Sequence, residues 1–357
     1  MGEAQDCLVL LGSVGYTWDN RPVSKKSAKS VCTFTVQRYH RRISFMGKLL
    51  FALLKTGRPR QWLKNVAVVT TILFTGQLFN EKAFTATVWA FVAFCLFSSS
   101  SYFINDILDI PKDKKHPFKK FRPIASGRLP IPLAWGTAIL LLGIGLFISA
   151  TLGKSFFILA VVFMLLQYSY SFFLKHKSII DILAITAAYF LRVYAGEMAT
   201  GYHISIWLAL AALSLALFLA IGKRRAELTL IQGYQGVLPK DTRETLLGYS
   251  EKLLDAFTAM FSTSTFITYA FYTFLEKPLN RGFFFHGYNE FAGELPDRKW
   301  MMATIPFVLF GIMRYMQLIY EGKGESPEKI LTSDPPLLLT VILWGVSVFL
   351  IVYGIGG

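Results

Sequence analysis

Residues 105–123 read Asn105-Asp106-Ile107-Leu108-Asp109-Ile110-Pro111-Lys112-Asp113-Lys114-Lys115-His116-Pro117-Phe118-Lys119-Lys120-Phe121-Arg122-Pro123, directly after an apolar run. Asp106, Asp109 and Asp113 are spaced by three and four residues, so a continuous helix turning about 100° per residue would put them on one face. Hard oxygen ligands in that arrangement suit Mg²⁺, which binds through a few carboxylates, waters and substrate phosphates. The cations that follow, Lys119 and Arg122 above all, suit the phosphates. A basic loop between membrane spans would account for the Lys and Arg through the positive-inside rule, but it gives no reason for a regular row of Asp.

Working outward, the apolar run is one of many. The chain has 357 residues, 54% hydrophobic and 15% aromatic, with a mean hydropathy of +0.46. That composition excludes an ordinary soluble domain and predicts an all-α integral membrane protein. Runs long enough to cross a hydrocarbon core of about 30 Å predict nine transmembrane helices, at 63–79, 83–104, 133–152, 156–174, 181–200, 203–222, 252–275, 300–320 and 336–355. The first run is the shortest and includes Thr70, Thr71 and Thr75.

Lys and Arg gather in alternate loops: before the first span, at 105–132, at Lys175 and Lys177, from Lys223 to Arg243, and at Lys323 and Lys329. The pattern predicts a cytoplasmic N-terminus and an outside C-terminus, with the motif-bearing loops on the cytoplasmic side of the inner membrane. The formal charge of +15 then belongs to topology, anionic lipid and phosphorylated substrates, and no nucleic-acid motif accompanies it. Cys7, Cys32 and Cys95 are too few and too scattered for a disulfide framework or a metal cluster. Residues 1–45 are expected to be a disordered basic extension with Met46 as an alternative start, since Glu3 and Asp6 precede their short apolar run, unlike a signal peptide. Residues 46–357 would be the catalytic domain.

Other residues join the acidic row. Arg58-Pro59-Arg60-Gln61-Trp62-Leu63-Lys64-Asn65 reads either as an anion-facing segment or as an ordinary basic and aromatic membrane border. Tyr168-Ser169-Tyr170-Ser171-Phe172-Phe173-Leu174-Lys175 closes the fourth span, and Asp181 and Arg192 fall in the fifth. Ionisable residues inside a span read as functional by default, although Asp181 and Arg192 share a helix face and a structural partnership through other groups stays open.

Together these motifs resemble the UbiA superfamily of intramembrane prenyl-group enzymes, and within it the decaprenyl-phosphate phosphoribosyltransferases, over about residues 50–355. The carrying features are Asn105-Asp106-X-X-Asp109-X-X-X-Asp113 running into His116-Pro117-X-Lys119-X-X-Arg122-Pro123, with Arg58 to Asn65, Tyr168 to Lys175, Asp181, Lys223-Arg224-X-Ala226-Glu227 and Arg314-Tyr315. Two features depart from the superfamily pattern: Pro111 interrupts the row, so Asp113 is expected on a kinked continuation, and no plain second Asp-X-X-X-Asp motif follows.

The resemblance implies a UbiA-like bundle with cytoplasmic active-site loops and Mg²⁺-dependent transfer of 5-phosphoribosyl from phosphoribosyl diphosphate to a polyprenyl phosphate, for cell-envelope glycolipid synthesis. Asp106, Asp109 and Asp113 would hold Mg²⁺, with Asn105 orienting or ligating. Arg58, Lys64, Lys119 and Arg122 would bind the diphosphate and 5-phosphate, with Tyr168, Lys175 and Asp181 as further contacts. His116 reads as a turn or substrate contact rather than a base. The rivals are a prenyltransferase with an aromatic acceptor and a lipid-phosphate or small-anion transporter. Partners are these substrates and membrane lipids, with homo-oligomerisation left open.

Overall fold

A computed structural model describes residues 46–115, 119–232, 248–276, 300–323 and 326–355. The N-terminal extension, His116 and Pro117 lie outside them. Every described element is helical. Helix α1 covers 46–57, followed by a 3-10 segment Pro59–Val69 and the short α2, Thr70–Phe74. Then come α3 (Glu81–Leu108), α4 (Ile110–Lys115), α5 (Ile131–Leu152), α6 (Lys154–Phe172), α7 (Ile180–Thr200), α8 (Ile206–Gln232), α9 (Glu251–Leu275), α10 (Ile305–Tyr320), α11 (Pro327–Ser333) and α12 (Pro335–Phe349).

Seven helical stretches among the described residues are long and apolar enough to cross a membrane: Glu81–Leu108, Ile131–Leu152, Lys154–Phe172, Ile180–Thr200, Ile206–Thr229, Trp300–Tyr320 and Pro335–Gly354. Two expected spans differ. Helix α9 has the length, 25 residues, but is rich in Ser and Thr. Its hydroxyls satisfy themselves on the helix's own carbonyls, as Thr258 does on Leu254 at 2.7 Å and Thr268 on Ser264 at 2.7 Å. It lies along α8, where the Ser214 and Ser264 hydroxyls meet at 3.0 Å.

The expected span 63–79 is not a continuous helix. The 3-10 segment and α2 end at a turn through Gly76, with φ 69°. Such irregular backbone is tolerated at membrane depth only where protein surrounds it, and here Asn65, Val68 and Thr71 are fully buried. The reason is a close approach to α7. A Cβ on Gly196 would stand 2.2 Å from the Val68 carbonyl oxygen, so only glycine lets the two backbones touch. Gly196→Ala should therefore cost about 1–3 kcal/mol despite the better helix propensity of alanine, read as a lower unfolding midpoint in detergent. An unchanged midpoint would refute this packing.

The apolar core lies between α3, α5, α6 and α7. Phe94 packs on Phe163 with ring centroids 4.7 Å apart, and Phe97 fills the space that Gly145 leaves on α5. The run Ser98-Ser99-Ser100-Ser101 on α3 is wholly buried, and Ser100 donates to the Ala138 carbonyl at 2.8 Å, so small side chains bring α3 and α5 close. Outward, α5 and α6 present Ile139, Leu140, Phe147 and Leu165, the surface expected of lipid-facing helices.

Candidate functional site

At one end of the bundle α3 terminates at Asp109 and the chain resumes as α4 from Ile110, with Pro111 in its first turn. The break matters for the acidic row: it divides three carboxylates that a straight helix would align. Asp106, in the last turn of α3, and Asp113, on α4, both accept from Nη1 of Arg122, at 3.1 Å and 2.8 Å. Asp106 also takes Nη2 of Arg58 at 2.5 Å. Asp109 turns to other partners, Nζ of Lys175 at 3.0 Å and the Asn105 side-chain amide at 3.0 Å.

The cations are held in place by the fold. Arg58 adopts a left-handed backbone, φ 51°, before Pro59, and stacks over the Tyr102 ring at 4.9 Å. A non-glycine residue in that region costs about 1–2 kcal/mol, here offset by the contact with Asp106. Arg122 sits in a loop that is pinned by the buried Ile124 and Leu129 against α1, α3 and α5. Lys119, half-buried, lies among Arg122, Asp113, Glu227 and Asp109; burial first and then Arg122 push its ammonium below the usual lysine range, while the acids oppose. Arg58, Asn105, Asp106, Asp109, Asp113, Lys119, Arg122 and Lys175 therefore share one site.

Three expected site residues stand apart from that cluster. Lys64 points to Glu328 on α11, at 2.8 Å. Tyr168 packs among core residues, its hydroxyl buried and without a hydrogen-bond partner among the described residues. Asp181 is fully buried: Arg224 Nε approaches it at 2.7 Å, off the hydrogen-bond axis, and the Tyr249 hydroxyl donates to it at 2.5 Å. Tyr249 in turn receives the amide of Ile179 at 2.6 Å, holding this β-branched residue at φ 67°. Arg192 does not pair with Asp181. Its Nε donates to Asn65 Oδ1 at 2.8 Å, and its guanidinium lies over the Phe163 ring at 4.7 Å. Glu328, Tyr189 and Tyr249 carried no sequence signal beyond residue type, since their partners lie on remote segments.

The donor chemistry fits a hard divalent cation, though not as a cage. No group of three His, Cys, Asp or Glu among the described residues could enclose a metal ion. Mg²⁺ seldom asks for one, since it keeps waters and is typically bound through one or two carboxylates plus substrate phosphates. Asp106 and Asp113 converge on a single guanidinium nitrogen, so one positive centre already lies within reach of both.

The helical membrane bundle itself is shared with solved structures. A UbiA homologue from Archaeoglobus fulgidus, solved with GPP and Mg²⁺ bound, superposes with a TM-score of 0.61 at 19% identity, covering 84% of this chain and 99% of its own. Residues 66–226 match the UbiA prenyltransferase family. The protein is 33% identical to the decaprenyl-phosphate phosphoribosyltransferase of Corynebacterium glutamicum, over 84% of this chain and 86% of that one. The enzyme of the same name from Mycolicibacterium smegmatis is 33% identical, over 83% and 91%. The chain belongs to the UbiA family, and it is a membrane-embedded transferase.

Proposed function

We propose that the protein transfers a 5-phosphoribosyl group from phosphoribosyl diphosphate to a polyprenyl phosphate, releasing diphosphate, and that the product serves cell-envelope glycolipid synthesis. The observation that carries this reading is the similarity, across most of both chains, to enzymes named decaprenyl-phosphate phosphoribosyltransferase. The charge pattern of the site supports it. In the transfer the bond from the anomeric carbon to the diphosphate breaks, its electron pair leaving with diphosphate, and a bond forms to an oxygen of the acceptor phosphate. That oxygen is already ionised at neutral pH, so no general base is required.

The chain's own residues then have to stabilise negative charge on the leaving group. Arg58, Arg122, Lys119 and Lys175 supply cations around it. Asp106 and Asp113, with Asp109 and its partner Asn105, are the residues that would hold Mg²⁺, which when bound supplies further positive charge to the diphosphate oxygens. The described basic residues Arg58, Arg122 and Lys175 gather at the site end of the bundle, which supports a cytoplasmic-facing site in the inner membrane.

The test incubates purified protein with labelled phosphoribosyl diphosphate, Mg²⁺ and a polyprenyl phosphate, alongside a prenyl diphosphate with 4-hydroxybenzoate. Labelled lipid is the expected product. Prenylation of the aromatic acid without pentose transfer would leave the family standing and reject this donor. Within the same assay Lys119→Ala should weaken use of phosphoribosyl diphosphate by roughly ten- to a hundredfold, the value of one charge-assisted contact, with the apparent affinity for polyprenyl phosphate much less changed. Equal losses for both substrates would remove Lys119 from the donor.

A further inference from the structure

Beside the acidic row lies a second polar cluster, built from the 3-10 segment, α7, α10 and α11. Glu328, on α11, is 4% exposed. Its Oε1 accepts from Lys64 Nζ at 2.8 Å and from the Tyr189 hydroxyl at 3.1 Å, whereas its Oε2 is buried with no donor among the described residues. The Tyr315 hydroxyl of α10 is buried and likewise has no partner among the described residues. The Tyr189 ring lies between two cations, Lys64 at 5.8 Å and Arg192 at 5.7 Å from its centroid. Among the described residues no carboxylate pairs with Arg192, whose bonds go to Asn65 and the Ala188 carbonyl.

Two cations, one carboxylate and an unused carboxylate oxygen make an unusual interior. A buried guanidinium without an acid is costly, and so is a buried acceptor without a donor. A ligand that relieves both must bring negative charge and hydroxyl donors together. A phosphorylated sugar does so. A lipid monophosphate does not: it offers only acceptor oxygens and would face Glu328 Oε2 with like charge.

The cluster also adjoins the acidic row. Arg58 pairs with Asp106 and stacks on Tyr102, whose hydroxyl donates at 3.5 Å to Gln61 in the same 3-10 segment as Lys64. Arg58 and Lys64 are separated along the 3-10 segment by about 12 Å at roughly 2 Å per residue, a span that side chains and a pentose with phosphate at each end bridge.

Resting on the donor proposed above, we infer that Lys64, Tyr189, Arg192 and Glu328 form the sugar end of the donor site. Glu328 Oε2 accepts from the pentose hydroxyls, and Lys64 and Arg192 take the 5-phosphate. Glu328 thereby sets specificity for a phosphoribosyl donor over a prenyl diphosphate, which has no hydroxyl to offer.

The experiment follows ligand-induced thermal stabilisation of the full chain in detergent, with ribose 5-phosphate and methyl phosphate as probes. Its sign is diagnostic. Removing a negative charge beside two cations strengthens binding of a bare phosphate, whereas removing the acceptor of the hydroxyls weakens binding of the sugar phosphate. Glu328→Gln should raise the apparent Kd for ribose 5-phosphate about tenfold and leave methyl phosphate unchanged or tighter. Should that variant fail to insert, Glu328→Asp keeps the charge and shortens the reach, and the same selective loss is expected. No stabilisation of the wild type by ribose 5-phosphate, or a variant that binds both probes alike, would overturn the inference. Because the readout is binding, absence of pentose transfer by the wild type would strike the proposed function, while unselective binding by the variants would strike the sugar site alone.

Discussion

Asp106→Asn should lower pentose transfer by about a thousandfold or more at saturating Mg²⁺, equivalent to roughly 4 kcal/mol of transition-state stabilisation, while the protein inserts and unfolds near the wild-type midpoint. The reason is that one oxygen of Asp106 is shared by Arg58 and Arg122, and Asp106 lies with Asp113 where a divalent cation would be held. Asparagine keeps an acceptor for both guanidinium groups, so the packing survives while the charge is lost. Turnover of labelled donor is the measurement. Wild-type activity in this variant would take Asp106 out of the reaction.

Asp181→Ala should act in the opposite sense, on stability before chemistry, costing about 3–5 kcal/mol. Arg224 is fully buried and shares its charge between Asp181 and Glu227, and the Tyr249 hydroxyl that steadies the strained Ile179 leans on the same carboxylate. Removing that acid uncovers a buried cation and frees the start of α7. Chemical unfolding in detergent should show the loss. Replacing both members, Asp181→Leu with Arg224→Met, should recover much of it, because a well-packed apolar pair avoids the desolvation of the ion pair. If Asp181→Ala instead folds normally and loses turnover, the carboxylate faces substrate after all.

These two acids show what was legible in the sequence. The acidic row stands out because its members lie within one turn or two along the same segment, while the break at Ile110 decides that Asp106 and Asp113 meet at Arg122 and Asp109 turns away. Their partners stand out less: Lys175 reaches Asp109 from the end of α6, a pairing that only the packing of the helices decides. Asp181 reads as functional because it is ionisable and inside a span, and nothing in the sequence pairs it with Arg224, which comes from a different helix. The spans at α3, α5, α6, α7, α8, α10 and α12 were legible as uninterrupted apolar runs. Hydropathy could not separate the segment from Pro59 to Phe74 from a true span, since a buried irregular stretch is as apolar as a helix, and the deciding contact is a single glycine on α7. Glu328 was invisible for a similar reason. It falls in a loop whose lysines explained themselves through topology, and its burial depends on α11 folding back onto Lys64.

The pairing of Arg58 and Arg122 with Asp106, and of Lys175 with Asp109, bears on how such a site behaves among competing solutes. A row of bare cations at a membrane surface would collect any stray inorganic phosphate or nucleotide from the surrounding fluid. Here each positive group already has a built-in occupant, so a weakly held anion gains little by displacing it. A ligand that arrived with its own counter-cation would exchange partners on both sides at once, its cation meeting the carboxylates and its phosphate oxygens the guanidinium groups. The resting ion pairs would then filter against anions that come without a cation, and inhibition by free phosphate should be shallow relative to that by diphosphate.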